Sequence, residues 1–168
     1  MATLFVMCGL PASGKSTFIK EKIKNSNIVV VSRDEIRFSF VKKRRDYFAF
    51  ENQVKKIFWE RITFALKEGK DVIADQTSLT IGARKALLKH ISGYDDAVLI
   101  WIDTDFHTCF ERNKAREGLA RVPNETLKSM NASFETPTLD EGFSKIFRYN
   151  IINGKENIWV QAKGFMFL

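Results

Sequence analysis

Gly9-Leu10-Pro11-Ala12-Ser13-Gly14-Lys15-Ser16 is the stretch on which the fold turns. It meets the spacing G-x-x-x-x-G-K-[ST]. In that pattern the glycines let the backbone curl until its N–H groups point inward around a phosphate. The lysine then sets its charge against the β- and γ-phosphates, and the following hydroxyl ligates Mg²⁺. Gly9, Pro11, Ala12, Ser13, Gly14, Lys15, Ser16 and Thr17 are therefore the candidates for holding ATP with magnesium. Lys15 is also a catalytic candidate and Ser16 a metal ligand. The flanks supply the context. Thr3–Cys8 is an apolar strand pattern, and a helical pattern runs from Lys15, aiming its positive dipole end at the phosphates. An ordinary glycine-rich turn would need neither the lysine nor that strand–loop–helix order.

Working outward, short β-branched runs alternate with longer helical patterns, which predicts an α/β fold of the P-loop kinase kind: a parallel sheet between two layers of helices. Strands are expected at Thr3–Cys8, Ile28–Ser32, Asp71–Asp75 and Ala97–Asp103. Helices are expected at Lys15–Lys24, Arg33–Val41, Asp46–Glu68, Thr80–Ile91, Phe106–Arg116 and Asn124–Phe134. Asn153-Gly154, between two strand-like runs, signals a closing β-hairpin. With 168 residues, no repeat and no linker, one domain over 1–168 is expected.

The 45% apolar content, with 15 Phe and 3 Trp, is enough for a core. No apolar run approaches the roughly 20 residues that span a bilayer, so no membrane association is expected. The chain's start reads as a buried strand and not a leader. Cys8 and Cys109 lack metal-ligand or disulfide-framework spacing, and a cytoplasmic setting follows as the expectation. The formal charge of +7 suits an anionic partner.

Four further places bear chemistry. Ser32 and Glu35 fit a capping box after the second strand. Asp34 is not needed for that box and falls where ligands of parallel sheets bind, so it is a candidate base for an attacking hydroxyl. Asp75 ends the third strand, where it would hold magnesium, a metal-bound water or a cationic substrate contact; a turn-initiating role explains it too. Thr77 is either a second contact there or a cap. Arg112 and Arg116, four apart on an expected helix, share a face from which they would neutralise the transferred phosphate; a solvated face is the plainer explanation of that spacing. Glu117–Val122, ending before Pro123, suits a mobile lid within about 112–123. Lys42-Lys43-Arg44-Arg45 would suit a polynucleotide backbone or a solvated loop.

Taken together, Gly9–Thr17, Arg33-Asp34-Glu35-Ile36-Arg37, Asp75-Gln76-Thr77, Arg112-Asn113-Lys114-Ala115-Arg116, Val122-Pro123 and Phe134-Glu135-Thr136-Pro137 resemble the P-loop kinases of polynucleotide 5′-hydroxyl ends, bacteriophage-type enzymes among them. The similarity spans roughly residues 3–137. It implies a sheet in order 2-3-1-4-5, Asp34 as general base, Arg37 as a contact to the acceptor's phosphate and Asp75 as an acceptor-side carboxylate. It also implies Arg112 and Arg116 as lid arginines on ATP. The phosphatase signature Asp-x-Asp-x-Thr of the bifunctional enzymes is broken at His107 after Asp103-Thr104-Asp105, so no phosphatase domain is expected. Transfer of the ATP γ-phosphate to a polynucleotide 5′-hydroxyl is the leading expectation. Kinases of small hydroxylated molecules or antibiotics, and a non-catalytic nucleotide-binding module, are the alternatives.

Overall fold

The computed structural model describes residues 1–24 and 27–164. Its centre is one sheet of β1 (Thr3–Cys8), β2 (Ile28–Ser32), β3 (Asp71–Asp75), β4 (Asp96–Ile102), β5 (Lys145–Ile152) and β6 (Lys155–Ala162). The order is β2-β3-β1-β4-β5-β6. This is the expected 2-3-1-4-5 arrangement of parallel strands, with β6 added antiparallel on the β5 edge. Asn153 and Gly154 at the hairpin tip have φ of 50° and 74°, the left-handed pair that a tight two-residue turn demands.

Six helices cross over the sheet: α1 (Lys15–Lys22), α2 (Arg33–Phe40), α3 (Glu51–Lys67), α4 (Ile81–His90), α5 (Phe106–Lys114) and α6 (Asn124–Ala132). Side chains alternate across β1 and feed two cores. Leu4, Val6 and Cys8 pack with Val54, Phe58, Ile62 and Leu66 of α3 and Leu87 of α4. Met7 packs with Ile19 of α1, Ile73 and Ile100 on the opposite face. The three layers of the sequence expectation are thereby present. Among the described residues no helix is long and apolar enough to cross a membrane.

Several boundaries differ from expectation, most by one or two residues. The α3 stripe begins at Glu51 and not Asp46, because Arg44–Asp46 forms a 3₁₀ turn. Tyr47 is instead drawn against Arg37, whose guanidinium lies 4.8 Å from its ring. At the other end of the site α5 stops at Lys114, so Arg116 is not on the helix that carries Arg112. The buried Asn113 donates to Val122 O at 2.7 Å and accepts from Val122 N–H at 3.0 Å. That clip pulls the chain back on itself before another helical turn can form. α1 ends at Lys22, two residues early.

One buried ion pair braces the loop after β3. Arg84 of α4 and Glu141 are 0% and 2% exposed and meet at 2.6 Å. Arg84 also donates to Ser78 O at 2.9 Å and to Glu135 O at 3.0 Å. Glu141 accepts the Thr138 N–H at 2.8 Å. Thr77, one residue from Ser78, accepts the Gly9 N–H at 3.0 Å, so this brace reaches the first residue of the glycine loop.

Candidate functional site

The strand ends converge. Ser32 and Asp75 are register partners at the carboxyl ends of β2 and β3, and Cys8, leading into the glycine loop, lies beside Trp101 of β4. Between Gly9 and Ser16 the backbone alternates hand, with Ala12 at φ 63° and Gly14 at φ 105°. Such alternation turns successive N–H groups to one side and makes an anion-binding concavity. Gly9 is required for a different reason. A Cβ there would sit 2.8 Å from Ile102 O and 2.8 Å from the Ser13 hydroxyl. The Ser13 Oγ is itself buried, with no hydrogen-bond partner among the described residues.

Lys15 donates to Gly9 O and Leu10 O, both at 2.9 Å, so its ammonium closes the mouth of the loop on the loop's own carbonyls. Burial lowers its pKa, opposed by the charges of Asp75 and Asp34. Those two carbonyls are weak partners for a full charge, and phosphate oxygens at the mouth would compete for it. Asp75 is the complementary case. Burial raises its carboxyl above the ordinary 3.8, Lys15 pulls it down, and Asp34 and Glu35 push it up again.

A cavity of about 480 Å³ opens over the loop. Pro11, Ala12, Gly14, Lys15, Ser16 and Thr17 form its floor, Asp34 and Arg37 one wall, and Asp75 and Thr77 another; Arg116 reaches it from the segment expected as a lid. A neighbouring cavity of about 550 Å³ shares Ala12, Gly14, Thr17 and Arg116 and adds Ser13, Arg112 and Tyr149. Arg112 donates to Ser13 O at 3.3 Å, tying α5 to the glycine loop. Every candidate residue except Gly9, Lys42 and Lys43 therefore lines one of these two neighbouring cavities.

The wall with Asp34 is built as a relay. The Ser32 hydroxyl caps α2 by accepting from Glu35 N–H at 3.4 Å, which fixes the first turn. Asp34 is exposed, and Arg37 donates to its Oδ1 at 2.6 Å. Arg37 is buried and also grips Glu51 of α3 through Nη2 at 2.9 Å and Nε at 3.3 Å. Arg33 bonds Glu51 as well and reaches Gln76 Oε1 at 2.9 Å. Burial pushes the Glu51 carboxyl up, but the Arg37 hydrogen bonds and the Arg33 charge outweigh it and hold it below 4.5. Arg37, expected to meet an acceptor phosphate directly, has its guanidinium committed to Asp34 and Glu51. In this arrangement it orients the carboxylate. Sequence does not single out Glu51, which falls inside the expected 46–68 helix as one polar position among several; only the later start of α3 puts it in the first turn.

The basic run divides. Arg44 donates from one nitrogen to Gly118 O at 3.1 Å, Leu119 O at 3.0 Å and Arg121 O, latching the 118–121 segment over the cavity. Lys42 donates to Phe38 O. Arg45 lines the cavity with its side chain 76% exposed. Elsewhere, Asp103 pairs with Arg148 at 2.6 Å and Asp105 caps α5, so both serve the fold. Burial pushes the Cys8 thiol up to about 12 and Cys109 up to about 11, which leaves neither as a nucleophile.

The Asp75 environment gives a pH-dependent test. Its folded pKa lies above the unfolded value, so ionisation costs stability above the folded pKa, and that cost disappears as pH falls below 3.8. Asp75→Asn is therefore expected to raise Tm of the nucleotide-free protein at neutral pH. The gap should close in acid, read from thermal melts across pH. A variant less stable than wild type at pH 7 would contradict this.

A parallel sheet whose first strand feeds a phosphate-shaped loop, with a carboxylate at the end of the neighbouring strand β3, has the fold of a P-loop kinase. The chain belongs to the AAA domain family, whose model matches residues 4–137. The L-seryl-tRNA(Sec) kinase of Methanococcus maripaludis is 31% identical over 140 residues, 80% of this chain and 53% of that protein. This chain thus spans about half the length of that curated relative. A chain of the Pnkp1/Rnl/Hen1 RNA repair complex superposes with TM-score 0.66 at 23% identity, over 79% of this chain and 43% of that one. A gluconokinase from Sinorhizobium meliloti 1021 gives TM-score 0.58 at 16% identity, over 88% and 82%. These structural likenesses speak to the fold.

Proposed function

We propose that this chain is an ATP- and magnesium-dependent kinase whose acceptor is a polynucleotide 5′-hydroxyl. One observation carries it: Asp34, held by Arg37, stands on the wall of the same cavity as Lys15 and Asp75. That cavity is lined by Arg33, Arg37, Arg44, Arg45, Arg116 and Lys15 against two carboxylates, which supports an anionic acceptor.

The nucleotide's phosphates lie over the Gly9–Ser16 N–H groups, with the adenosine part toward the cavity that Arg112 and Tyr149 line. Lys15 exchanges Gly9 O and Leu10 O for phosphate oxygens. Ser16 and Asp75 would hold the magnesium ion, for which the desolvated Asp75 carboxylate is a fitting ligand. When bound, the ion neutralises charge on the β- and γ-phosphates. Asp34 accepts the proton of the acceptor hydroxyl. A bond forms from that oxygen to the γ-phosphorus as the bond from the γ-phosphorus to the β–γ bridging oxygen breaks. ADP leaves with that bridging oxygen, and Arg116 and Arg112 offset the charge on the transferring group.

A second reading is favoured by the 31% identity to a seryl-tRNA kinase: a hydroxyl carried on a tRNA-bound amino acid. The test is kcat/KM across four acceptors, namely a 5′-hydroxyl oligonucleotide, seryl-tRNA, free nucleosides and hexoses. The oligonucleotide is expected to exceed the others by at least about tenfold. A preference for seryl-tRNA would move the acceptor to the second reading, and a preference for a free sugar or nucleoside would overturn both.

A further inference from the structure

The 3₁₀ turn and loop between α2 and α3 end at an aromatic that the proposed chemistry does not use. Phe48 lines the cavity that contains Lys15 and Asp34, yet 68% of its surface is exposed. A lone exposed phenylalanine is ordinary. This one is held in place. Its ring meets Tyr47 edge-on, with centroids 4.9 Å apart and planes at 80°. Tyr47 in turn is gripped by Arg37 at 4.8 Å and Arg44 at 5.0 Å from its ring. Those guanidiniums are themselves anchored, Arg37 on Asp34 and Glu51 and Arg44 on the carbonyls of 118–121. The Phe48 ring is thus fixed at one side and open on the rest, on the Asp34 side of the glycine loop.

Arg45 lines the same cavity. Its side chain is 76% exposed, and its one close carboxylate among the described residues is Asp46 at 3.9 Å, the limit of an ion pair. A fixed, open aromatic ring and an uncommitted guanidinium on one cavity are a match for a base and its phosphate. Aromatic rings stack on any base, because every base presents a π-face, and the guanidinium meets the backbone charge. A hexose can lay a C–H face on a phenyl ring, but a neutral sugar or polyol brings no phosphate to the guanidinium.

We propose that Phe48 is the stacking platform for the base of the acceptor's 5′-terminal nucleotide, and that Arg45 meets the first internucleotide phosphate. This rests on the polynucleotide reading of the acceptor. It makes selection at the terminal position a matter of having a base at all, and not of which base.

The test is steady-state phosphorylation of two 5′-hydroxyl oligonucleotides, one with an ordinary terminal nucleotide and one whose terminal nucleotide lacks its base. Wild type is expected to lose about 10- to 100-fold in kcat/KM when the base is absent. Phe48→Ala should show that same loss on the ordinary oligonucleotide and no further loss on the baseless one. Phe48→Trp should restore the ordinary oligonucleotide, and KM for ATP should be unchanged throughout. Arg45→Ala should flatten the salt dependence of oligonucleotide KM. If wild type phosphorylates both oligonucleotides and Phe48→Ala leaves the difference between them intact, the stacking platform is overturned while the acceptor stands. If wild type phosphorylates neither, the acceptor reading itself falls, and the platform with it.

Discussion

Asp34→Asn is expected to reduce kcat by about 10²- to 10⁴-fold, the usual contribution of a positioned general base. The substitution is chosen because it removes only basicity. Asparagine has the same shape, and its carbonyl oxygen can still accept the 2.6 Å hydrogen bond that Arg37 donates. Asp34 lies in the first turn of α2, exposed toward the cavity, so no core packing is lost. Affinity for ATP should hold, because the phosphate-binding loop and Lys15 lie on a different element. Equilibrium binding of a fluorescent ATP analogue, set against turnover, separates the two effects. Wild-type turnover in the variant would remove Asp34 from the chemistry. A parallel loss of nucleotide affinity would place it on the donor side.

The second large effect is on stability and arises in the buried brace behind Thr77 and Ser78. Glu141→Ala leaves the fully buried Arg84 guanidinium without its counter-charge and is expected to destabilise the fold by about 3–5 kcal/mol. For a chain of this size that corresponds to a fall in Tm of roughly 10 °C. The cost belongs to the orphaned charge and not to the lost pair. Arg84→Met with Glu141→Leu, which removes both charges and refills the volume, should therefore recover most of it. Because Arg84 also holds Ser78 O, and Thr77 O holds Gly9, the single variant should lose ATP affinity at temperatures where it is still folded. Urea unfolding of the two variants decides the matter. A double variant no better than Glu141→Ala would show that the unpaired charge is not the source of the loss.

What was legible in the sequence was local. The glycine loop could be read because its glycines, lysine and serine must sit at fixed spacing between a strand and a helix. The closing hairpin could be read because Asn153-Gly154 is adapted to a left-handed turn. Asp34, Asp75 and Thr77 could be placed near the loop because parallel strands end on the same side. The partners of those residues could not be read. Glu51 is 14 residues from Arg37, and Glu141 is 57 from Arg84, and nothing in spacing or periodicity links them. Arg37 therefore looked free to meet a phosphate when its guanidinium is already shared. Arg44 looked like part of a charge run, but it donates to backbone carbonyls, which carry no sequence signal. Arg112 and Arg116 looked like one helical face until the Asn113 side chain, bonded to Val122, ended the helix between them.

In the proposed function one cavity joins the phosphate-binding loop to a base for a polynucleotide hydroxyl. The most direct measurement is transfer of label from γ-labelled ATP with magnesium to an oligonucleotide ending in a 5′-hydroxyl. The same oligonucleotide already bearing a 5′-phosphate, and the Lys15→Ala protein, serve as the two comparisons. Label is expected on the 5′-hydroxyl oligonucleotide with wild type alone, none on the phosphorylated one, and loss of transfer by at least about 10²-fold in Lys15→Ala, as when a donor to transition-state charge is removed. Absence of label on the 5′-hydroxyl oligonucleotide, or undiminished transfer by Lys15→Ala, would contradict that function.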